Sequence, residues 1–512
     1  MDKNFFISIQ TGIKYFIVLL ICLSFSFFNE AKSKPIEVLE ANTIDDYFVS
    51  PNGNDENPGT KEKPFRSIDL ALSKLSPGKT LTFLEGTYNL TKSVVLNMKG
   101  NKEGWITLRG EPGVSVILDG LKFNISPGNG YPNNNGLIQI EDAAYIRVQN
   151  ITVRNSHRSC INIQDSEHVD IINCTTKNSL SPGIAAWQNC EHIRILGNTV
   201  INANDMGMSW EPYRGSEAPH EAISMAGPHY FEVAWNHVYD CRKEGIDVKE
   251  TASFGKVHHN YVHNNARQGL YIDGWFGELR DIEMYDNVVH GCEAGIAVSS
   301  EEGPNTKNLK IHHNLIYNNR ATGIFFSRWG ADNPREDVEV YSNTFYQNGW
   351  GPGFRGDPQY WLNGGCYLFT HNLKDVTIRN NIFAKNMPFE IGYSERWNDT
   401  LFEQQNIVID YNLIQDINTI EYPLFLEAWS KDHVSITTGK KVIEADPLFI
   451  DPASGDFRLQ TNSPAIDAGH PNKKYNDSNN TQNDIGVFPL GTKTSDFWWL
   501  DNFPPVIDID DL

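Results

Sequence analysis

The chain has 512 residues, 40% of them apolar and 12% aromatic, with 40 glycines and a formal net charge of -21. That composition excludes a disordered chain, and the acidic balance argues against nucleic acid and against polyanions unless a local basic cleft or a bridging cation receives them. Length alone leaves the domain count open, so internal repeats have to decide it.

In chain order, residues 1–33 come first. Lys3 and Lys14 precede an apolar run from Tyr15 to Phe28, followed by small and polar residues. This is the pattern of a secretory signal peptide, and it predicts a secreted or periplasmic protein. The run is short for a membrane span and none like it recurs, so no span is expected. Cys22 follows the bulky Ile21, which makes it a poor lipid-attachment site. The other six cysteines, Cys160, Cys174, Cys190, Cys241, Cys292 and Cys366, form no CxxC pair. Buried small side chains, not a zinc site or a disulfide framework, are the expectation for them.

Residues 46–445 carry a repeat. The segments RVQNITV, IINCTT, ILGNTV, VAWNHV, VHHNYV, MYDNVV, IHHNLI, VYSNTF, IRNNIF and IDYNLI align Asn150, Asn173, Asn198, Asn236, Asn260, Asn287, Asn314, Asn343, Asn381 and Asn412. Their spacings of 23, 25, 38, 24, 27, 27, 29, 38 and 31 suit coils with variable loops, not helical repeats. Each Asn lies among short alternating runs rich in Val, Ile and aromatics, which are strand signals. Asn at a fixed turn reaches left-handed geometry and bonds its copies along a stack, so the column needs no chemistry to explain it.

A second strand opened by Gly follows most of these asparagines: GIAAW, GMSWE, GIDVK, GLYID, GIAVS, GIFFS and GCYLF. Stacking such units in parallel predicts an all-β right-handed parallel β-helix of about ten coils. Two insertions, residues 213–230 and 347–363, are placed to wall a site. Residues 446–492 read as a segment closing the solenoid, and residues 493–512 as an acidic, aromatic tail with no assigned role.

Within each Gly-opened strand the first and third residues are apolar and point inward, so the second and fourth point out. This places Glu211, Lys249 and Asp273 in one column on successive rungs, with Asp247 beside them. Rung geometry sets Glu211 and Asp273 about 9–10 Å apart and Asp247 diagonal at about 7–8 Å, a separation that favours an inverting carboxylate pair. A solvated ladder of ion pairs would look the same in the sequence. Trp187, Tyr271, Trp275, Phe325 and Trp329 close to the charges point instead to a sugar-binding cleft. His220 and His229, with Glu217 and Glu221, fall in the first insertion, and His220 is a candidate substrate contact. The pairs His258, His259 and His312, His313 recur at one offset and read as repeat features. Arg242 and Arg267 fall at turns, off the face. No GxSxG elbow, phosphate loop or HExxH is present.

The segments Tyr47–Leu96 and DPLFIDPASGDFRLQTNSPAIDAG resemble the opening and closing segments of secreted, pectate lyase-like β-helix polysaccharide lyases and glycoside hydrolases. GLYIDGW resembles the catalytic strand of the β-xylosidases of glycoside hydrolase family 120. That resemblance implies Asp273 as nucleophile or base. The position matching the family's partner Glu holds Ser299, which leaves Glu301, Glu302 or Glu211 as the acid. GIDVKE resembles the base strand of polysaccharide lyase family 6, which implies instead Lys249 as base and Glu211, Asp247 and Asp273 as calcium ligands; the Arg that family carries on the next coil is replaced by Asp273. A glycoside hydrolase without a cofactor, acting on plant or algal cell-wall carbohydrate, is the leading expectation. A calcium-assisted lyase and a non-catalytic glycan-binding protein are the alternatives, and oligomeric state is left open.

Overall fold

The computed structural model describes residues 46–123, 135–205, 220–351, 364–393, 404–415, 441–500 and 503–512. The signal segment and Cys22, most of the second insertion, and Glu211 with the rest of GMSWE lie outside the described residues. No helix among the described residues is long and apolar enough to cross a membrane.

Three parallel sheets run along a solenoid, two of 13 strands and one of 11, and each inner coil contributes one strand to each sheet. The repeat read from the sequence is therefore the architecture, an all-β parallel β-helix of about eleven turns. The short helix Ile68–Leu72 buries Ala71 and Leu72 near the N-terminal end. Gly-opened strands form the 11-stranded sheet, and their first and third residues point inward. Ile184, Ile223, Ile246, Leu270, Ile296 and Ile324 make one fully buried column, and Ala186, Met225, Val248, Ile272, Val298 and Phe326 make the next. Burying each large member contributes about 1.5–3 kcal/mol, and the alternation leaves every second side chain facing outward.

One rung differs from the sequence reading. Between Ile184–Trp187 and Ile246–Glu250 the sheet carries Ile223–Ala226, so the partner of Lys249 on that side is Ala226, not Glu211. Ala222 takes the turn position that Gly occupies in neighbouring coils, which hid the strand. Residues 223–226 and 229–234 are thus regular strands and not part of an insertion, and His229 lies on the second of them, with Nδ1 2.5 Å from Ser253 Oγ.

The asparagine column is a hydrogen-bonded ladder through Asn198, Asn236, Asn260, Asn287, Asn314, Asn343, Asn381 and Asn412. At each step one side-chain Oδ1 accepts both the N–H and the Nδ2 of the preceding Asn, as Asn287 does from Asn260 at 3.1 and 3.0 Å. Left-handed geometry belongs to the residue before each ladder Asn, such as Gly197, Trp235 and His259. Asn150 and Asn173 occupy that preceding position themselves, so they stand one place out of register, and Cys174 takes the ladder site by donating its N–H to Asn198. All six described cysteines are free and buried.

The C-terminal residues run back along the outside of the coils. Phe449 and Phe457 pack on Tyr346, and the Val487 N–H donates to Thr344 Oγ1. Farther on, Trp498 lies against Trp235 and His259, and Phe503 against His237 and Tyr261. Ile507 exchanges two hydrogen bonds of 2.9 Å with the Asn173 side chain. The tail is a strap reaching coils far from the one at which it leaves the solenoid.

Candidate active site

The outward columns of the 11-stranded sheet bring most of the sequence-selected residues together. Lys249 pairs laterally with Asp273 and Asp273 with Ser299, while Asp247 pairs with Tyr271 and Tyr271 with Ala297. These positions are not solvated. Asp247 is fully buried and Asp273 is 4% exposed. Phe325, Tyr367 and Phe389 form with Tyr271 an apolar cluster on this face, against which Trp329 and Phe369 pack.

Glu221 organises the charges, and the sequence reading gave it no role. It precedes Ala222 at the opening of the unrecognised rung. Its Oε1 lies 3.3 Å from Lys243 Nζ and 3.4 Å from Lys249 Nζ, and its Oε2 accepts from Ser224 Oγ at 3.0 Å. Although burial alone would raise it, the two ammonium groups hold the Glu221 carboxyl far below its usual value, so it is an anion. Lys249 also lies 3.7 Å from Asp247 Oδ2. Burial pulls Lys249 down, but Glu221, Asp247 and Asp273 outweigh it and hold the ammonium well above its ordinary value.

Asp247 and Asp273 behave oppositely to Glu221. Both are pushed well above the usual carboxylate range, first by burial, then by Glu221 for Asp247 and by Glu301 for Asp273. Both Asp247 oxygens and Asp273 Oδ1 are buried without a hydrogen-bond partner, an arrangement tolerable for a carboxyl that keeps its proton. Glu250, also missed from the sequence, is raised by burial to about 7.

Glu301 reaches the cluster from beyond its strand. The N–H groups of Glu301, Glu302 and Gly303 all donate to Gly274 O, at 3.0, 3.2 and 3.1 Å, which folds the chain back over the neighbouring coil. Gly330 sits against this bend with φ of 59°, and a Cβ there would lie 2.7 Å from Glu301 O. Glu301 thereby accepts a short hydrogen bond from the Tyr271 hydroxyl, whose oxygen in turn accepts from Ser299 Oγ at 3.1 Å. Ser299 in turn bonds Ser327. Burial raises the Glu301 carboxyl while Tyr271 and Lys249 oppose the rise. Glu302 is exposed and makes no side-chain contact with this group.

Of the aromatics, Trp329 meets Tyr271 and Phe325 edge-on at 5.9 and 5.1 Å. Trp187 meets His220 at 4.5 Å, and Trp275 meets Phe276 at 5.9 Å. Burial holds His220 down at about 4, so it is neutral. Arg267, expected off the face, is half-buried with Nη1 2.9 Å from Glu244 Oε1. The double histidines are repeat features: His258 bonds Glu232, and His312 bonds Glu283 in the same way.

Among the described residues no three His, Cys, Asp or Glu side chains converge as a metal set. The cation beside Asp247 is the ammonium of Lys249. Glu211, the third calcium ligand that the lyase resemblance implies, lies outside the described residues.

Two family descriptions match the chain: "Pel9A-like, right handed beta helix region" over residues 47–219 and "Right handed beta helix region" over residues 136–308. The solenoid is therefore a right-handed, pectate lyase-like β-helix. The chain is 28% identical to the uncharacterized protein YwoF of Bacillus subtilis (strain 168), over 83% of its own length and 93% of the relative's. A stretch of 104 residues, 20% of this chain and 25% of the relative, is 34% identical to pectate lyase PEL9 of Emericella nidulans. Among solved structures, pectate lyase Pel9A is 14% identical with a TM-score of 0.47, covering 87% of this chain and 96% of that one. The complex of XylC with xylose is 14% identical with a TM-score of 0.49, covering 79% and 87%.

Proposed function

We propose that this β-helix is a glycoside hydrolase acting on plant or algal cell-wall oligo- or polysaccharides, with Asp273 and Glu301 as its working carboxyl pair. The observation that carries the reading is the group formed by buried Asp273 and Tyr271 with half-buried Glu301, beside a lysine held as a cation. Two carboxyls in environments that separate their proton affinities are the basis of acid–base division in such enzymes. Asp273, with an unpartnered buried oxygen and the stronger upward push, keeps its proton and donates it to the departing sugar oxygen. Glu301, whose anion Tyr271 stabilises by donation, faces the anomeric carbon or activates the attacking water. This division is the reverse of the one the sequence resemblance implied. Lys249 lies beside its lateral neighbour Asp273, and Trp329, half-buried against the aromatic cluster, supports a sugar ring.

The Pel9A-like match and the PEL9 stretch support a second reading, β-elimination on a uronate glycan with Lys249 as base. A base must be neutral when it acts, and the Glu221 carboxylate 3.4 Å from Lys249 opposes that.

The test is a panel of cell-wall polysaccharides and aryl glycosides, read for new reducing ends and for the ultraviolet absorbance of unsaturated sugars. Hydrolysis gives the first signal alone, elimination both. Asp273→Asn should lose about 10²–10⁴-fold on natural linkages but keep much of its rate on aryl glycosides with good leaving groups. Glu301→Gln should lose both. The opposite pattern would exchange the roles, and full activity in both variants would refute the pair.

A further inference from the structure

Half-buried Glu301 needs hydrogen-bond donors to remain an anion, because burial raises its carboxyl. One donor is the Tyr271 hydroxyl. Behind it lie two more hydroxyls, Ser299 and Ser327, both fully buried. Ser299 follows Asp273 in the outward column, one rung on. Ser327 belongs to the next rung, where its N–H donates to Val298 O at 3.1 Å. Ser299 Oγ lies 3.1 Å from the Tyr271 oxygen, and Ser327 Oγ bonds Ser299 Oγ.

Counting protons fixes the direction of these bonds. A carboxylate only accepts, so the single Tyr271 hydroxyl proton goes to Glu301. The Tyr271 oxygen then accepts, and Ser299 supplies the proton. Ser299 has used its only hydroxyl proton, so Ser327 donates to it. Three hydroxyl dipoles therefore point one way, from Ser327 through Ser299 and Tyr271 to Glu301. A cation stands at the far end. Arg335, fully buried, donates through Nη2 to Ser327 O at 2.6 Å and through Nη1 to Asn333 O and Asp332 Oδ1, each at 2.7 Å. A guanidinium behind the first hydroxyl and a carboxylate in front of the last align the dipoles in that one sense. Hydrogen bonds in such a chain polarise one another, so each serine strengthens the donation that Glu301 receives.

We propose that Ser299 and Ser327 are positioning residues for the reaction: acting through Tyr271, they hold Glu301 ionised and aimed, and so keep the two carboxyls of the pair in opposite protonation states. The proposal rests on the reading of Asp273 and Glu301 as that pair. The charged groups facing Glu301 are Lys249 and Arg267, which favour its anion, and Asp273 and Glu244, which oppose it when ionised.

Ser299→Ala and Ser327→Ala in the whole protein leave those four groups in place, and their pH–activity profiles on a substrate from the polysaccharide panel are the test. Ser299→Ala should move the acid limb of kcat up by about 0.5–1 unit, the worth of one neutral hydrogen bond, with KM and the basic limb unchanged. Ser327→Ala should move it the same way and less. In a Tyr271→Phe background both serines are cut off from Glu301, so Ser299→Ala should add nothing. An acid limb that stays put in Ser299→Ala, a shift of both limbs together, or a full further shift in the Tyr271→Phe background would overturn the proposal. Carbon-13 titration of the Glu301 carboxyl, assigned by its loss in Glu301→Gln, reads the same shift without substrate. It also separates the two failures. If Glu301 titrates higher in Ser299→Ala while the panel yields no new reducing ends, the hydrolase reading alone is lost. If Glu301 titrates alike in both proteins, the serine chain is refuted whatever the panel shows.

Discussion

Replacing Glu221 by Gln removes one negative charge at nearly constant shape. In the wild type the carboxylate stands 3.3 Å from Lys243 Nζ and 3.4 Å from Lys249 Nζ. At an effective dielectric constant near 20 each contact is worth about 5 kcal/mol before desolvation is counted. Removing one partner of a buried pair costs about 3–5 kcal/mol in practice. The loss is cushioned here, because Lys243 keeps Glu244 at 3.9 Å and Lys249 keeps Asp247 at 3.7 Å. Asp247 and Asp273, which the Glu221 charge pushes up, will also ionise more readily and supply replacement charge. The expected net destabilisation at pH 7 is therefore about 2–4 kcal/mol. Its pH dependence has a definite sign. Glu221 is depressed in the folded state, so its contribution is fully present above the unfolded carboxyl value of about 4.3 and declines as pH falls below it. Denaturant unfolding of both proteins from pH 4 to pH 8 is the assay. The gap should be widest near neutrality and narrow in acid; a gap under about 0.5 kcal/mol at pH 7, where surface substitutions ordinarily fall, would refute the reasoning.

Tyr271→Phe removes the hydrogen bond that favours the Glu301 anion. Such bonds are worth about 1.5–3 kcal/mol, so the acid limb of the pH–activity profile should move up by about one unit or more, with kcat reduced. Asn287→Ala breaks four ladder hydrogen bonds of 2.9–3.1 Å and strands the Asn260 N–H. Chemical denaturation should register about 3–5 kcal/mol. Glu250 keeps its proton to about pH 7 when folded but only to about 4.3 when unfolded, so wild-type stability should fall as pH rises between those values. Glu250→Gln should flatten that slope, and an identical slope in the variant would show that Glu250 is not its source.

Much of the solenoid was legible because its two signals are local. Alternation in GIDVK and GLYID depends only on strand period, and the turn before each depends only on Gly. The same rule failed at EAISMA, where Ala222 stands in the Gly position and GMSWE imitates the pattern fifteen residues earlier. That substitution concealed Glu221 and drew attention to Glu211. Burial of the outward charges was illegible for a different reason. Phe325, Tyr367 and Phe389 arrive on that face from separate coils, and no sequence period records their convergence. Glu301 lies past its strand, and only the bend onto Gly274 O shows which of two adjacent glutamates meets Tyr271.

The strap has a consequence for how the molecule comes apart and together. A solenoid held only by nearest-neighbour contacts frays coil by coil from an end, like a zipper. Tying Ile507 to Asn173 and Trp498 to Trp235 makes early coils answer for late ones, so loss of the last coils also strips cover from coils near the beginning. Opening should then be closer to all-or-none across the strapped coils, and hydrogen-exchange protection in their interior strands should be nearly level. In synthesis the order is imposed by the chain itself: residues 497–507 can dock only on coils already stacked, which makes the strap the last latch to close.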